Sequence, residues 1–438
     1  MLNNKTRLGY LLGVGVLFYV SYGLTNYLTA LRENVPEIVF AWEQHIPFWA
    51  WTIVPYWSLN LLYALVFFLS RNRTQLRHYV ARLLLAQAIA VAGFLLFPLQ
   101  ITWQKPETSG VAGFLFESLA GFDQPYNQAP SLHIILTIVV GAFYWRHFPK
   151  WRIPLCLWFG LIALSILTTY QHHFLDLPTG AVAGFGVLWL LPEKQPSPIF
   201  AKSSQNLTAS HYRLIRFYLL GAIVCIGLAC LGGGWLWCLW PAIAFGLVAM
   251  AYWRGVAIFQ KRSNGKLTAG STALCLPYLL GARLNIVYWL QGKAKSAAIC
   301  DGVFVGSIVV SRQFDALLDC CAELPCRELP SVYEQALMLD LVPPSINELC
   351  QAARKLDRLQ AENARVLVAC ALGYGRSVAV VLTWLLATSR VPNLEQAINT
   401  VKRVRPKMAI SHIVCERIEL ASQQFHIETK NGTGTNYN

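Results

Sequence analysis

Residues 364–377 read ARVLVACALGYGRS and predict a strand, a tight loop and the start of a helix. Residues 364–369 are mostly aliphatic or β-branched, which is typical of a buried strand. The apolar run 378–386 that follows predicts a buried helix. A loop between such a strand and a helix N-terminus directs backbone N–H groups to one place and binds anions well.

Residues 370–376, called the Cys370 loop below, hold the reactive side chains. A thiol at the mouth of an anion-binding loop has its thiolate stabilised, so Cys370 is predicted to be a nucleophile. Arg376 can bind two phosphate oxygens with its planar fork, and Ser377 can donate a hydrogen bond to the departing thiolate. The loop residues between Cys370 and Arg376 are predicted to bind phosphate: Ala371, Leu372, Gly373, Tyr374 and Gly375. The C-x5-R spacing alone is weak evidence for a catalytic site. The predicted strand and helix on either side, and the glycine within the loop, favour a catalytic cysteine over a structural one.

A phosphate ester also needs an acid to protonate its leaving alkoxide. Thirty residues upstream of Cys370, residues 339–345 read LDLVPPS. The paired prolines predict a loop after a short strand, which is a good position for a mobile acid. Asp340 is therefore the candidate general acid, and the alternative is an aspartate that begins a turn.

These residues resemble the dual-specificity branch of the protein tyrosine phosphatase superfamily, over about 280–425. Residues 301–307, DGVFVGS, are similar to its early strand, and residues 404–406, VRP, to its late helix entry. The resemblance implies a cytosolic α/β domain that forms a cysteinyl-phosphate. Ala369 stands where the family usually has histidine, which implies a less acidic thiol. Close relatives act on phosphatidylglycerophosphate, on phosphoinositides or on proteins, so the substrate class stays open.

The rest of the chain is far more apolar. Its 438 residues are 55% hydrophobic and 13% charged, against about 25% charged in soluble domains. Long apolar runs end near residue 258, which divides the chain into a membrane half and a soluble half. The net charge is +14, and the excess lysines and arginines lie largely beside apolar segments. Basic residues in such positions set membrane topology, so nucleic-acid binding is disfavoured. Twelve cysteines without a C-x-x-C pair indicate reduced thiols, and no metal or cofactor is expected.

Eight membrane spans are predicted, at about 8–29, 47–70, 79–103, 131–148, 152–170, 175–192, 214–233 and 235–253. The links 30–46 and 104–130 carry one basic residue each, whereas the alternate links are rich in lysine and arginine. Basic links stay inside, so both termini and the soluble half are expected in the cytoplasm.

Two polar clusters at span ends are functional candidates, since ionisable residues at membrane depth are costly. Residues 128–133, QAPSLH, lead into the fourth span, and residues 165–176, SILTTYQHHFLD, join the fifth to the sixth. The topology places both clusters on the outer face. His172 with Asp176 four residues on can form a nucleophile and its orienting carboxylate, and His133 can protonate a leaving alkoxide. The alternative is a set of histidines that cap helices near headgroups.

The two clusters resemble the Pro-Ser-x-His and His-x-x-x-Asp signatures of the type-2 phosphatidic acid phosphatase superfamily, over about 40–195. They are closest to the subgroup that includes inositol phosphorylceramide synthases. The resemblance implies a six-helix core in which His172 becomes a phosphohistidine, Asp176 orients it and His133 is the acid. It also implies that Ser131 holds phosphate. The family's Lys-x6-Arg-Pro element is absent here, and Lys105, followed by Pro106, is the candidate phosphate ligand in that region. Ile166 replaces the family's usual arginine, which implies weaker neutralisation of phosphate.

The expected organisation is a membrane-embedded phosphatidic acid phosphatase-like domain (1–200) and two further spans (201–260). A cytosolic dual-specificity phosphatase domain (261–428) and a disordered tail (429–438) follow. The combination resembles a bacterial family of fused phosphatases, which implies the inner membrane.

The leading hypothesis is a phosphatase of lipid phosphomonoesters. The alternatives are a membrane-tethered phosphotyrosine phosphatase and a lipid headgroup phosphotransferase at the outer site. The substrate itself and the oligomeric state stay open.

Overall fold

The computed structural model describes residues 3–121, 124–200 and 207–430. The chain divides into two compact units, with the division between residues 199 and 200. Residues 201–206, at the start of the predicted pair of extra spans, lie outside the described ranges. The predicted disordered tail also lies outside them from residue 431 onward, whereas its first two residues end a helix.

The first unit is helical, and its centre is the fifth helix. The α-helices of its described residues are α1 (Asn4–Ala30), α2 (Ile53–Leu69), α3 (Arg73–Leu96), α4 (Gly110–Ala120), α5 (Leu132–His147), α6 (Arg152–Thr168) and α7 (Asp176–Leu190). Helix α5 packs against α2, α3, α6 and α7. This arrangement brings the start of α5 and the start of α7 to the same place.

Helix boundaries in the first unit differ from the predicted spans where a cap or a proline intervenes. Helix α3 begins at Arg73 rather than near 79, because the Asn72 side chain accepts the Gln75 backbone N–H and caps the helix. It ends at Leu96 rather than near 103, because Pro98 disfavours helical geometry at the residue before it. Helix α4, within the predicted outer link, is an element that the span prediction did not contain.

Six helices among the described residues are long and apolar enough to cross a membrane. With adjoining 3₁₀ turns they are Asn4–Ala30, Ala50–Leu69, Arg73–Leu96, Pro149–Thr168, Ala209–Ala229 and Gly233–Arg254. The other two predicted spans correspond to the apolar helices α5 and α7, which have 16 and 15 residues. The chain therefore has the helices of a multi-pass membrane protein, and the count of eight stays a prediction.

The second unit combines membrane-type helices with an α/β domain. Its helices are α8 (Ala209–Ala229), α9 (Leu239–Arg254), α10 (Ala269–Leu274), α11 (Leu276–Leu290), α12 (Ile346–Glu362), α13 (Arg376–Ala387), α14 (Leu394–Val404) and α15 (His412–Lys430). Its strands are β1 (Ser296–Cys300), β2 (Val303–Ser307), β3 (Ala316–Cys321), β4 (Val332–Met338) and β5 (Val366–Cys370). Helices α10 and α11 pack against α9, and the sequence did not predict them.

The strands form one sheet in the order β1-β2-β5-β3-β4. Strand β1 is antiparallel to β2, and the other neighbours are parallel. Because β5 is central and ends at Cys370, the Cys370 loop leaves the carboxyl edge of the sheet, where α/β folds place their sites. Helices α12, α13 and α15 pack against one another, and Trp384 of α13 is the largest fully buried side chain.

Candidate active sites

Strand β5 ends in Cys370, whose side chain is buried and lies next to a backbone N–H group and a hydroxyl group. The Gly373 backbone N–H donates to the Cys370 Sγ across 3.2 Å, and the Ser377 Oγ lies 3.3 Å from the same sulfur. Helix α13 begins at Arg376, so its N-terminus points at the loop. The loop thus has the donors that stabilise a thiolate or a bound phosphate.

The curvature of the Cys370 loop depends on Gly373. This residue has φ +78°, and a Cβ there would lie 2.5 Å from the Gly306 carbonyl carbon. An L side chain would be strained by the backbone angle and would collide with strand β2. On the other side of the loop, the Ser307 Oγ donates to the Ala371 carbonyl oxygen across 2.5 Å. Strand β2 therefore holds the loop in shape.

Arg405, in the VRP motif at residues 404–406, supports the loop from behind, a role that the sequence did not predict. Its Nη1 and Nη2 donate to the carbonyl oxygens of Ala294 and Lys295, at 2.6 and 3.1 Å. Its guanidinium also lies 4.9 Å from the ring centroid of Tyr374. Burial lowers the pKa of Arg405, and the nearby Tyr374 and Cys370 oppose that shift. The residue adds positive charge near the loop.

Arg376 is buried and held by a partner that the sequence did not reveal. Its Nη1 and Nη2 each donate to one oxygen of Glu323, both at 2.7 Å, and Nη1 also donates to the Met338 carbonyl oxygen at 2.9 Å. Burial alone would raise the pKa of the Glu323 carboxyl, but the charge and hydrogen bonds of Arg376 hold it below its ordinary value. The bidentate pair fixes the orientation of the guanidinium.

Asp340 lies at the remaining edge of Arg376. Its Oδ1 is 3.2 Å from the Arg376 Nε, and the two residues line one cavity of about 580 Å³ with Cys370. Its side chain keeps 44% of its surface exposed, on the side that faces the cavity. Burial by the surrounding protein raises the pKa of Asp340, Arg376 opposes that shift and Glu323 adds to it. The structure thus brings together the predicted nucleophile, phosphate ligand and acid.

Ala369 is fully buried and pairs with Gly306 and Asp319 on the neighbouring strands. The position beside the nucleophile carries a methyl group and no ionisable side chain. The lower acidity expected for the Cys370 thiol stays a prediction.

The polar clusters of the first unit also meet. The His172 Nδ1 lies 3.1 Å from the Asp176 Oδ2, and its Nε2 lies 3.2 Å from the Ser131 Oγ. All three side chains are buried. Gly180 permits this approach, because a Cβ there would lie 2.8 Å from the Ser131 carbonyl oxygen. The Asp176 carboxylate holds the Nδ1 of His172 and leaves the Nε2 facing the Ser131 hydroxyl.

His133 occupies the same region. Its ring stacks on Tyr56 with centroids 4.0 Å apart, and it lies within electrostatic range of His172. Its buried Nε2 has no hydrogen-bond partner among the described residues. A buried nitrogen without a partner is costly, so a ligand atom there would be stabilised.

A second buried pair, Glu43 and His173, was not predicted. Glu43 accepts the backbone N–H groups of Phe40 and Phe174, both at 2.8 Å, and its Oε2 lies 3.5 Å from the His173 Nδ1. The Thr102 backbone N–H is 3.4 Å from the His173 Nε2. These contacts anchor the segment that carries His172. The sequence showed two adjacent histidines but not the distant carboxylate.

Ile166 and Lys105 are the two positions of the first unit at which the sequence departs from the family's phosphate-binding residues. Ile166 is fully buried among apolar residues, and its carbonyl oxygen accepts the His172 backbone N–H at 3.1 Å. The position therefore supplies backbone support and no positive charge. Lys105 is exposed in the segment between α3 and α4, and its role in holding phosphate stays a prediction.

Family models match one segment in each unit of the chain. The model of the dual specificity phosphatase catalytic domain matches residues 312–417, and that of the PAP2 superfamily matches residues 41–190. No curated protein matches the chain. The fold class expected from the sequence is confirmed: apolar membrane-type helices, then a dual-specificity phosphatase domain. Both domain types are phosphatases that hydrolyse phosphomonoesters, so the predicted enzyme class is also confirmed.

Solved structures that match part of this chain include PTPMT1 in complex with PI(5)P. The identity is 14%, the match covers 31% of this chain and 99% of that chain, and the TM-score is 0.27. Tk-PTP in its active form has 24% identity, coverage of 30% and 97%, and a TM-score of 0.26. Human DUSP28 has 16% identity, coverage of 30% and 96%, and a TM-score of 0.28.

Proposed function

Because the chain joins a PAP2 superfamily domain to a dual specificity phosphatase catalytic domain, we propose that it dephosphorylates lipid phosphomonoesters through a cysteinyl-phosphate on Cys370. The observation that carries the proposal is the placement of one sulfur against two donors, in one cavity with Arg376 and Asp340. The membrane-type helices in the same chain favour a lipid over a soluble substrate.

In the proposed reaction the Cys370 thiolate attacks phosphorus, and a sulfur–phosphorus bond forms as the bond to the leaving oxygen breaks. Asp340 gives its proton to that oxygen, so an alcohol departs. Asp340 then takes a proton from water, which attacks the thiophosphate and releases inorganic phosphate. Ser377 donates to the sulfur as it becomes a thiolate again. Each proton and electron pair is returned, and the enzyme is regenerated.

In this scheme Asp340 gives up its contact with Arg376 when phosphate binds. Asp340 occupies the Nε edge of the guanidinium, while Glu323 holds the opposite edge. A phosphate dianion that binds at the Nε edge displaces Asp340 toward the leaving oxygen. Substrate binding would thereby place the acid.

The first unit supplies a second proposed site, with His172 as nucleophile. Asp176 holds the Nδ1–H, so the Nε2 lone pair attacks phosphorus as the bond to the leaving oxygen breaks, and His133 protonates that oxygen. Ser131 then donates to a phosphate oxygen. Water then attacks the phosphohistidine, gives a proton back to His133 and releases inorganic phosphate. We place this site at the outer face of a bacterial inner membrane and the Cys370 site at the cytosolic face, with both termini in the cytoplasm. The arrangement follows from the basic links between the spans.

The proposal is tested on the full chain in proteoliposomes. Phosphatidylglycerophosphate, phosphoinositides and a phosphotyrosine peptide are compared, and the activity of Cys370→Ser is subtracted. A lipid is expected to have the highest kcat/KM. Preference for the peptide would replace the lipid proposal with phosphotyrosine signalling. Transfer of phosphate or headgroup to an alcohol that persists in Cys370→Ser itself would indicate a transferase at the outer site.

Asp340→Asn is expected to slow alkyl phosphates by about 10²–10⁴-fold and aryl phosphates much less, because good leaving groups need less protonation. The acid works while protonated, so wild-type activity should fall as the pH rises through the pKa of Asp340. Since that pKa is raised, the fall should lie above the ordinary carboxyl range, and the variant should lack it. Rate–pH profiles measure this. Equal slowing of both substrates would make Asp340 structural.

A further inference from the structure

The cavity at Cys370 is bordered by a membrane-type helix. Ser210 and Arg213, in the first turns of α8, line the same cavity as Cys370 and Asp340. Helix α8 belongs to the same compact unit as the catalytic domain. It is also one of the helices long and apolar enough to cross a membrane. The membrane anchor therefore supplies part of the pocket wall.

The neighbouring helix α9 contacts the predicted acid loop directly. The Tyr252 Oη, in the last turn of α9, donates to the Asp340 carbonyl oxygen across 3.1 Å. Beyond α9, Lys261 forms a fully buried ion pair with Asp319 of β3, and its Nζ donates to the Cys321 carbonyl oxygen at 2.6 Å. Removal of one partner of a buried ion pair strongly destabilises the folded state. These contacts therefore hold the helices to the catalytic domain.

Arg213 is an exposed cation at this cavity. Within the ranges that the structure describes, no hydrogen bond or ion pair engages its guanidinium. Arg376, in contrast, is already paired with Glu323 and Asp340. Much of the surrounding wall is apolar: Leu341, Val342, Ile410, Ile413 and Val414. An unpaired guanidinium beside an apolar wall fits a ligand with an anionic group and an acyl chain.

We propose that Arg213 binds a second anionic group of the substrate, the phosphodiester of a phospholipid whose terminal phosphomonoester occupies the Cys370 loop. Arg213 lies near the start of a membrane-type helix, an end that would lie near the headgroup phosphates if the helix spans a bilayer, and arginine binds such groups bidentately. The substrate class is thus a phospholipid with a diester and a terminal monoester. This inference rests on the proposed lipid phosphatase function of the Cys370 site.

The test uses the full chain in mixed micelles with three probes. Phosphatidylglycerophosphate carries both anionic groups, dodecyl phosphate carries a monoester and a chain, and para-nitrophenyl phosphate carries neither chain nor diester. Arg213→Gln and Arg213→Lys are compared with Arg216→Gln, an exposed arginine on the same helix. The activity of Cys370→Ser is subtracted for every probe, which removes hydrolysis at the other site.

Arg213→Gln is expected to lower kcat/KM for phosphatidylglycerophosphate by about 10- to 100-fold, the effect of one lost charge-assisted hydrogen-bond pair. The other two probes should change less than about twofold. Arg213→Lys should restore part of the loss, and Arg216→Gln should match wild type. Equal effects of Arg213→Gln on all three probes, or no effect on any, would overturn this inference and leave the proposed lipid phosphatase function standing. If the wild type shows no Cys370-dependent hydrolysis of either lipid probe, the proposed lipid function fails, and the inference fails with it.

Discussion

In a chain whose outer site is silenced by His172→Ala, Cys370→Ser should lower kcat for para-nitrophenyl phosphate by at least about a thousandfold. A hydroxyl is a far poorer nucleophile than a thiolate at neutral pH, and loss of an attacking group costs orders of magnitude. The Gly373 N–H and the Ser377 hydroxyl now face the Cys370 sulfur. They would face an oxygen that stays protonated. Steady-state release of nitrophenol measures the effect.

The variant should still bind phosphate, since the loop N–H groups and Arg376 remain. Inhibitor binding by calorimetry, with inorganic phosphate as the probe, should therefore agree with wild type within about threefold. Cys300→Ser, at a half-buried cysteine on β1, is the matched control and should keep full turnover. Retained turnover in Cys370→Ser would remove this residue from the mechanism.

The Cys370 loop could be predicted because its chemistry is local in sequence. Residues 364–377 contain the strand, the nucleophile, the glycine with positive φ and the helix start, and each follows from backbone rules. Asp340 could also be predicted from the sequence, because two prolines mark its loop. Glu323 was not, because its pairing with Arg376 joins the end of β3 to the start of α13. Only the sheet order brings those two positions together.

Contacts between the membrane helices and the catalytic domain were also beyond sequence reasoning. Hydropathy marks α8 and α9 as spans, but it cannot show that Arg213 reaches the cavity or that Tyr252 reaches Asp340. In the first unit the His172–Asp176 spacing predicted its own contact. The buried Glu43 came from a segment more than 120 residues upstream of His172, and the sequence gives no local signal for that contact.

His172→Ala is expected to lower hydrolysis of lipid phosphomonoesters at the outer face by at least about a hundredfold, because it removes the attacking nitrogen. Asp176 would lose the partner that lies 3.1 Å away. Asp176→Asn should cause a smaller loss, since the ring keeps its nitrogen but loses its orienting charge. His147→Gln, at the other end of α5, is the control and should match wild type. Phosphate release from outer-leaflet substrate measures the effect, and it should resist thiol oxidants that inactivate Cys370.

The central claim is that the chain holds two phosphatase sites that work independently on opposite faces of a membrane. On the proposed topology, a hydrocarbon core of about 30 Å would separate the two sites, so that one bound substrate could not touch both. The direct test reconstitutes the wild type, Cys370→Ser, His172→Ala and the double variant in vesicles of known orientation. Lipid phosphate is supplied to one leaflet at a time. The account predicts that Cys370→Ser removes only cytosolic-face hydrolysis, that His172→Ala removes only outer-face hydrolysis, and that the double variant lacks both. Loss of both activities in either single variant, or full activity at both faces in His172→Ala, would contradict it.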